Sequence, residues 1–161
     1  MRKASDKILT LDRAAAFAAS LRQQGLELVS TNGCFDLLHR GHTTYLEQAR
    51  LLGDRLWVGL NSDASVKRLK GPQRPLQDQQ SRALQIAALE AVDFVTVFDE
   101  DTPENFLKKI RPTVHVKGGD YDPAQLPERA VVEEGGGRVL CLPLVAGYST
   151  TELVRKIHAT P

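Results

Sequence analysis

The chain has 161 residues, 42% hydrophobic and 25% charged, a balance that suits one globular domain over residues 1–161 and excludes a disordered chain. Its net charge of +1 gives no bulk attraction to nucleic acid or to an anionic membrane, so any phosphate ligand has to be held by local groups. No apolar run is long enough to cross a bilayer and the first residues hold no apolar signal core, which leads us to expect a cytoplasmic protein; two cysteines, Cys34 and Cys141, are too few for a disulfide framework.

Taken in order, helices and strands alternate. Thr10 can cap a helix from Leu11 to Gln24 that buries Leu11, Ala14, Ala15, Ala18 and Leu21 on one face and stops at Gly25. A first strand is expected over Leu26–Ser30, then a helix from His42 to Gly53. Leu56–Leu60 is a continuous apolar run of the kind found in buried parallel strands. Ser62 or Asp63 caps a short helix, Ala64–Leu69, and Lys70–Pro75 is a loop whose two prolines and glycine forbid regular structure. Asp78 caps the next helix, which ends near Glu90 and Ala91. Phe94–Phe98 is a third strand, and Thr102-Pro103-Glu104 opens a helix with proline at its first position. Val114–Val116 and Val139–Leu142 are the fourth and fifth strands, and Ser149 or Thr150 caps a last helix to about His158.

Strands separated by helices predict an α/β fold, a Rossmann-like doubly wound parallel sheet of five strands with helices on both faces. Ligands of such sheets bind beyond the carboxyl ends of the strands, where the strand order reverses. The segments Thr31–His42, Asn61–Asp63, Lys117–Tyr121 and Pro143–Thr151 all follow strands and should share that rim.

Chemistry concentrates in the first of these. His39 and His42 bracket Gly41 where a strand turns into a helix, and a helix start offers free backbone N–H groups and the positive end of a dipole. Imidazoles held there can donate to oxygens that gain charge during phosphoryl chemistry. Gly33 is expected to supply a sharp turn or a close approach to ligand, and a side chain at Gly41 would fill the phosphate site. Neither Cys34 nor Asp36 completes a zinc set with the histidines. His115 and His158 read as ordinary core or surface residues. Lys117, after the fourth strand, either neutralises a phosphate or is a solvated loop lysine, while Gly118 and Gly119 would let main chain approach a base or sugar. Ser149, Thr150 and Thr151 suit phosphate binding and helix capping alike. Lys67, Lys70 and Arg74 flank the Gly-Pro loop and are placed to close over a phosphorylated substrate or a leaving pyrophosphate; Arg82 lies on a helix and could equally pair with a surface acid.

The residues Gly33-Cys34-Phe35-Asp36, His39-x-Gly41-His42 and Ser149-Thr150-Thr151 resemble the cytidylyltransferase-type nucleotidyltransferase superfamily. Asn61 to Gly71, Arg74-Pro75, Val92-Asp93, Thr102-Pro103-Glu104 and Lys117 to Tyr121 are similar, more narrowly, to the adenylyltransferase domain of ADP-heptose synthase. The likeness runs from about Thr31 to Ile157, and departs from many relatives at Pro72-Gln73, where they carry an acid after the glycine. It implies the HxGH nucleotidyltransferase fold and the transfer of AMP from ATP, with Mg²⁺, to D-glycero-β-D-manno-heptose 1-phosphate, giving ADP-heptose for lipopolysaccharide core or another surface polysaccharide. It also implies His39, His42 and Lys70 as catalytic residues. Asn32, Gly33, Cys34, Phe35, Gly41, His42, Lys117, Gly118, Asp120, Ser149, Thr150 and Thr151 would bind the nucleotide, and Asp36, Asn61, Asp63, Lys67 and Arg74 the sugar phosphate, with no metal ligand supplied by the chain. A homo-oligomer is expected, with no nucleic acid or membrane partner, and with a sugar kinase as a separate chain supplying the heptose 1-phosphate. A cytidylyl- or adenylyltransferase for glycerol 3-phosphate or a like substrate is the near alternative; a non-catalytic nucleotide-binding module is the distant one.

Overall fold

A computed structural model describes residues 2–159. Its strands are β1 (Leu28–Gly33), β2 (Arg55–Asn61), β3 (Phe94–Phe98), β4 (Val114–Gly118) and β5 (Arg138–Leu142). All four pairings are parallel, in the order β3-β2-β1-β4-β5. The chain winds outward from β1 in one direction and then, from β4, in the other, so the switch point lies between β1 and β4. This is the Rossmann-like doubly wound sheet that the alternating pattern predicts.

The α-helices are α1 (Leu11–Gln23), α2 (Arg40–Arg50), α3 (Asp63–Lys70), α4 (Gln79–Ala88), α5 (Glu104–Ile110), α6 (Arg129–Glu134) and α7 (Thr150–Ala159), with short 3-10 turns at Ala4–Lys7 and Pro123–Gln125. Adjacent strand residues point to opposite faces, and the core divides accordingly. Val29, Leu56 and Val58 face α2 and α4 through Leu46, Ala49, Ala83 and Ile86. Leu28, Trp57 and Phe94 face α1, α5 and α6 through Ala14, Ala18, Phe106, Ile110 and Val132. Each face buries a full apolar layer, which fixes the carboxyl ends of the strands at one rim.

Some boundaries differ from the sequence reading. β1 runs Leu28–Gly33 rather than Leu26–Ser30, because its polar end is satisfied inside the fold: Ser30 and Thr31 are fully buried and side-chain bonded. α2 begins at Arg40, two residues before His42, with His39 at its N-cap. Thr10 precedes α1 without capping it through its side chain, and Pro103 stands at the N-cap of α5 rather than inside it. Ser62 and Asp78 do cap α3 and α4, each accepting a backbone N–H three residues on. Helix α6 has no counterpart in the sequence reading.

Candidate active site

Tyr45 holds the switch point together. Its hydroxyl donates to the Val116 carbonyl of β4 (2.9 Å) and takes a hydrogen bond from the Thr31 hydroxyl of β1 (2.7 Å). Burial raises the phenol well above its ordinary pKa, so it stays a neutral donor.

One helical turn earlier on α2 lie the histidines. The His39 carbonyl accepts the His42 and Thr43 backbone N–H groups at 2.9 and 3.3 Å, starting the helix. The two rings stack, with centroids 3.8 Å apart and 21° between planes, and the Phe35 ring meets His42 edge-on at 5.0 Å. Burial, helped by the neighbouring His39, lowers the His42 pKa to about 4, against a weaker opposite pull from the Leu37 backbone. Burial lowers His39 as well. Both rings are therefore neutral at pH 7. Each Nδ1 is buried without a hydrogen-bond partner, which leaves Nε2 as the nitrogen available to a ligand.

The glycines act differently from the expectation. A Cβ at Gly41 would lie 3.0 Å from His39 Nδ1 and 3.2 Å from Tyr148 Cβ, so the bare backbone preserves the His39 pose as much as any ligand space. The left-handed residue of the turn is Phe35 (φ 44°), not Gly33, whose Cβ would instead strike the Phe35 ring at 2.9 Å.

A second network fixes the loop of residues 71–77. The buried Asp36 carboxylate accepts from Arg74 Nη1 (2.7 Å) and from the backbone N–H groups of Leu76 (2.8 Å) and Gln77 (3.1 Å), and Gln77 Nε2 donates to the Asp36 carbonyl (2.6 Å). Arg82 is fully buried beneath, donating to the carbonyls of Cys34 (2.6 Å) and Gln77 (3.0 Å) and to Asp63 Oδ1 (2.7 Å). It pairs with an acid, as its helix position allowed, but from a fully buried position beneath the loop. Burial raises the Cys34 thiol, with Lys70 and Arg82 opposing, so the thiol is protonated and no nucleophile.

The third network is Lys117. Its ammonium lies 2.6 Å from Glu128 and donates to Asn32 Oδ1 (3.2 Å). Burial pushes the Glu128 carboxyl up, but Lys117 beside it more than offsets this and leaves it below its ordinary value, hence ionised. Under it, His115 is fully buried, its Nδ1 2.8 Å from Ser30 Oγ, and burial with Lys117 nearby lowers its pKa to about 3. It is a neutral core histidine, as its sequence context suggested.

Members of all three networks line one cleft at the strand ends, in two lobes of about 740 and 550 Å³. Asn32, Gly33, Cys34, Phe35, His42, Lys117 and Thr150 border both. Asp36, Asn61, Lys70, Arg74 and Thr151 border the larger, and His39, Gly41, Gly118 and Ser149 the smaller. Ser149 Oγ also accepts the Glu152 N–H (3.1 Å), so capping and lining coexist. Three expected residues lie outside. Lys67 and Asp120 are exposed and border neither lobe; Asp63 borders neither, and its carboxylate is paired with Arg82. Glu128, Tyr45 and Tyr148 border the cleft without having been singled out. Tyr45 had a signal, three residues past His42 on one helix face; Glu128 had none, since its partner lies in another element. Among the described residues, no group of three or more His, Cys, Asp or Glu side chains is placed to hold a metal ion.

A family model described as cytidylyltransferase-like matches residues 30–140. The bifunctional protein HldE of Geotalea uraniireducens is 54% identical over 152 residues, covering 94% of this chain and 31% of that protein. HldE of Geobacter sulfurreducens is 53% identical over 151 residues, with the same two coverages of 94% and 31%. The chain thus spans about a third of the length of these curated relatives. Among solved structures, a lipopolysaccharide core biosynthesis protein from Thermoplasma volcanium superposes with a TM-score of 0.63 at 29% identity, covering 75% of this chain and 98% of that one. A pantoate-beta-alanine ligase from Francisella tularensis, at 13% identity and a TM-score of 0.57, covers 94% of this chain and 77% of its own and shares the fold.

Proposed function

The chain belongs to the cytidylyltransferase-like family, and from that premise we propose that it is an adenylyltransferase that moves AMP from ATP to D-glycero-β-D-manno-heptose 1-phosphate. The products are ADP-heptose and pyrophosphate, and ADP-heptose would serve lipopolysaccharide core or another surface polysaccharide. The observation that carries this reading is a pair of stacked neutral imidazoles at a helix start, in a cleft whose two lobes meet at His42 while His39 faces the smaller one. The relatives about half identical to the chain and the lipopolysaccharide core protein of the same fold support the choice of sugar.

ATP occupies the smaller lobe, between His39, Gly118 and Ser149, and the sugar phosphate the larger, between Asn61, Lys70 and Arg74. A phosphate oxygen of the sugar 1-phosphate attacks the α-phosphorus in line; the bond to the bridging oxygen breaks and pyrophosphate leaves. The second pKa of such a phosphate is roughly 6, so the nucleophile is ionised at neutral pH and no base is needed. Catalysis is positioning plus stabilisation of charge. His39 and His42 donate to the α- and β-phosphate oxygens. The hydroxyls and free N–H groups at the start of α7 take the terminal phosphates. Lys117 and Lys70 neutralise charge at the junction and at the sugar side. Asp36 orders the loop that carries Arg74 and leaves binding to it. Mg²⁺ would arrive with ATP as part of the substrate and would supply charge neutralisation at its phosphates. A phosphoryl-transfer reaction upstream has to place the anomeric phosphate, and a sugar kinase is the class we propose for it.

A panel of ATP and CTP against heptose 1-phosphate, hexose 1-phosphates and glycerol 3-phosphate, followed by pyrophosphate release, tests the proposal. Release is expected with ATP and heptose 1-phosphate. Faster release with CTP and glycerol 3-phosphate would replace it with the near alternative.

A further inference from the structure

Of the side chains bordering both lobes, Lys117 and Glu128 are the charged pair among the described residues. They sit where two phosphate-bearing substrates must meet, if the cleft works as proposed above. A cation there needs no explanation. A carboxylate does, because it repels both substrates. Glu128 is buried, with its side chain 4% exposed, at the N-cap of α6, yet it makes no side-chain cap hydrogen bond. Its carboxylate is therefore not spent on the helix. Its ion-pair partner is the Lys117 ammonium at 2.6 Å, which also reaches back to Asn32 at the end of β1.

We infer that Glu128 is the exchange partner of Lys117. It holds the ammonium while no substrate is bound, yields it to the phosphates of the bound triphosphate, and takes it back as pyrophosphate departs. An unpaired ammonium in this half-buried position would bind the first polyanion tightly and release it slowly. The carboxylate trades affinity for turnover, so Glu128 is a positioning residue that acts through Lys117.

The experiment measures ATP and inorganic pyrophosphate binding by calorimetry on the full chain with Mg²⁺. Glu128→Gln keeps shape and a hydrogen-bond acceptor but removes the charge. It is expected to bind both ligands three- to tenfold more tightly, and to lower KM for ATP and kcat together. Lys117→Met binds both more weakly, and Glu128→Gln gives no gain in the Lys117→Met background. If Glu128→Gln does not fold, the wild type still answers: the Glu128 side-chain carboxyl ¹³C resonance shifts as pyrophosphate saturates the cleft. Unchanged or weaker binding by Glu128→Gln, a gain that persists without Lys117, or an unmoved Glu128 resonance overturns the exchange. A wild type that binds neither ATP nor pyrophosphate overturns it together with the proposed function, whereas one that binds both without these effects overturns the exchange alone.

Discussion

His39 and His42, three residues apart at the start of α2, stack face to face at 3.8 Å. Two imidazoles that close cannot both carry charge without a strong penalty, and burial already disfavours the charged form of each. The pair is thus set as two neutral donors, able to strengthen hydrogen bonds as phosphate oxygens gain charge without first losing a proton.

Removing one donor should act on the rate more than on the fold. A preorganised donor of this kind is worth about 2.7–4 kcal/mol in the transition state. His42→Ala is expected to lower kcat by roughly a hundred- to a thousandfold, with a smaller effect on the KM for ATP. Steady-state pyrophosphate release measures it, and far-UV circular dichroism checks the fold. Near-normal turnover by a folded variant removes the histidines from the mechanism.

The same histidines make stability depend on pH. In the unfolded chain a histidine titrates near 6.5. In the folded chain His42 titrates at about 4 and His115 at about 3. Between those values the unfolded state binds more protons. The stability from keeping these rings neutral is complete above about pH 6.5 and is lost as pH falls through the window toward 4 and then 3. Each histidine contributes a slope of about 1.4 kcal/mol per pH unit inside its window. Urea midpoints at pH 7.5, 6, 5 and 4.5 should fall in that order, and His115→Gln should flatten the fall by about one proton. A wild type equally stable at pH 7.5 and 4.5 contradicts the burial of these rings.

The parts of the fold legible in the sequence were those written in local pattern. The apolar run Leu56–Leu60 and the capping residues Ser62 and Asp78 fall inside or beside the elements they announced, because strand periodicity and caps depend on neighbours in sequence. The end of β1 is not legible in the sequence, because Thr31 and Asn32 look like loop residues until Tyr45 and Lys117 arrive from other elements to satisfy them. Helix α6 is six residues long, too short for periodicity to mark it. In the cleft, the His-x-Gly-His turn was visible as a unit. Asp36, Asp63 and Arg82 are named by the sequence but their partners are not, since those lie 19 to 48 residues away.

Gly41 separates a steric role in the site from a role in the helix. It lies inside α2, where alanine is favoured over glycine by about 1 kcal/mol. Yet its Cβ would press on the His39 ring at 3.0 Å and on Tyr148 at 3.2 Å. Gly41→Ala is therefore expected to melt no lower than the wild type while losing kcat by ten- to a hundredfold, as a displacement of a catalytic group by up to about 1 Å would cause. Thermal melts and turnover measured together check this. A variant with intact turnover means that His39 can move aside at no cost.

Asp36 separates the two substrates. Its carboxylate ties down the loop carrying Arg74, through the guanidinium and two backbone N–H groups, and that loop borders the larger lobe. In Asp36→Ala, the guanidinium and both N–H groups lose their acceptor. The Arg74 side chain is 23% exposed, so water recovers part of the loss and about 3 kcal/mol of stability should go, at the low end for a broken buried pair. The smaller lobe does not border this loop. The KM for the sugar phosphate should therefore rise tenfold or more while the KM for ATP stays within about threefold, a split that fits the loss of roughly one charge-assisted contact. Asp36→Asn, which keeps one acceptor for the backbone N–H groups, should recover most of the stability and less of the sugar phosphate affinity, because Arg74 stays unpaired. Equal changes in both KM values would mean that the two lobes are not separate binding sites, and the assignment of ATP to the smaller one would have to be abandoned.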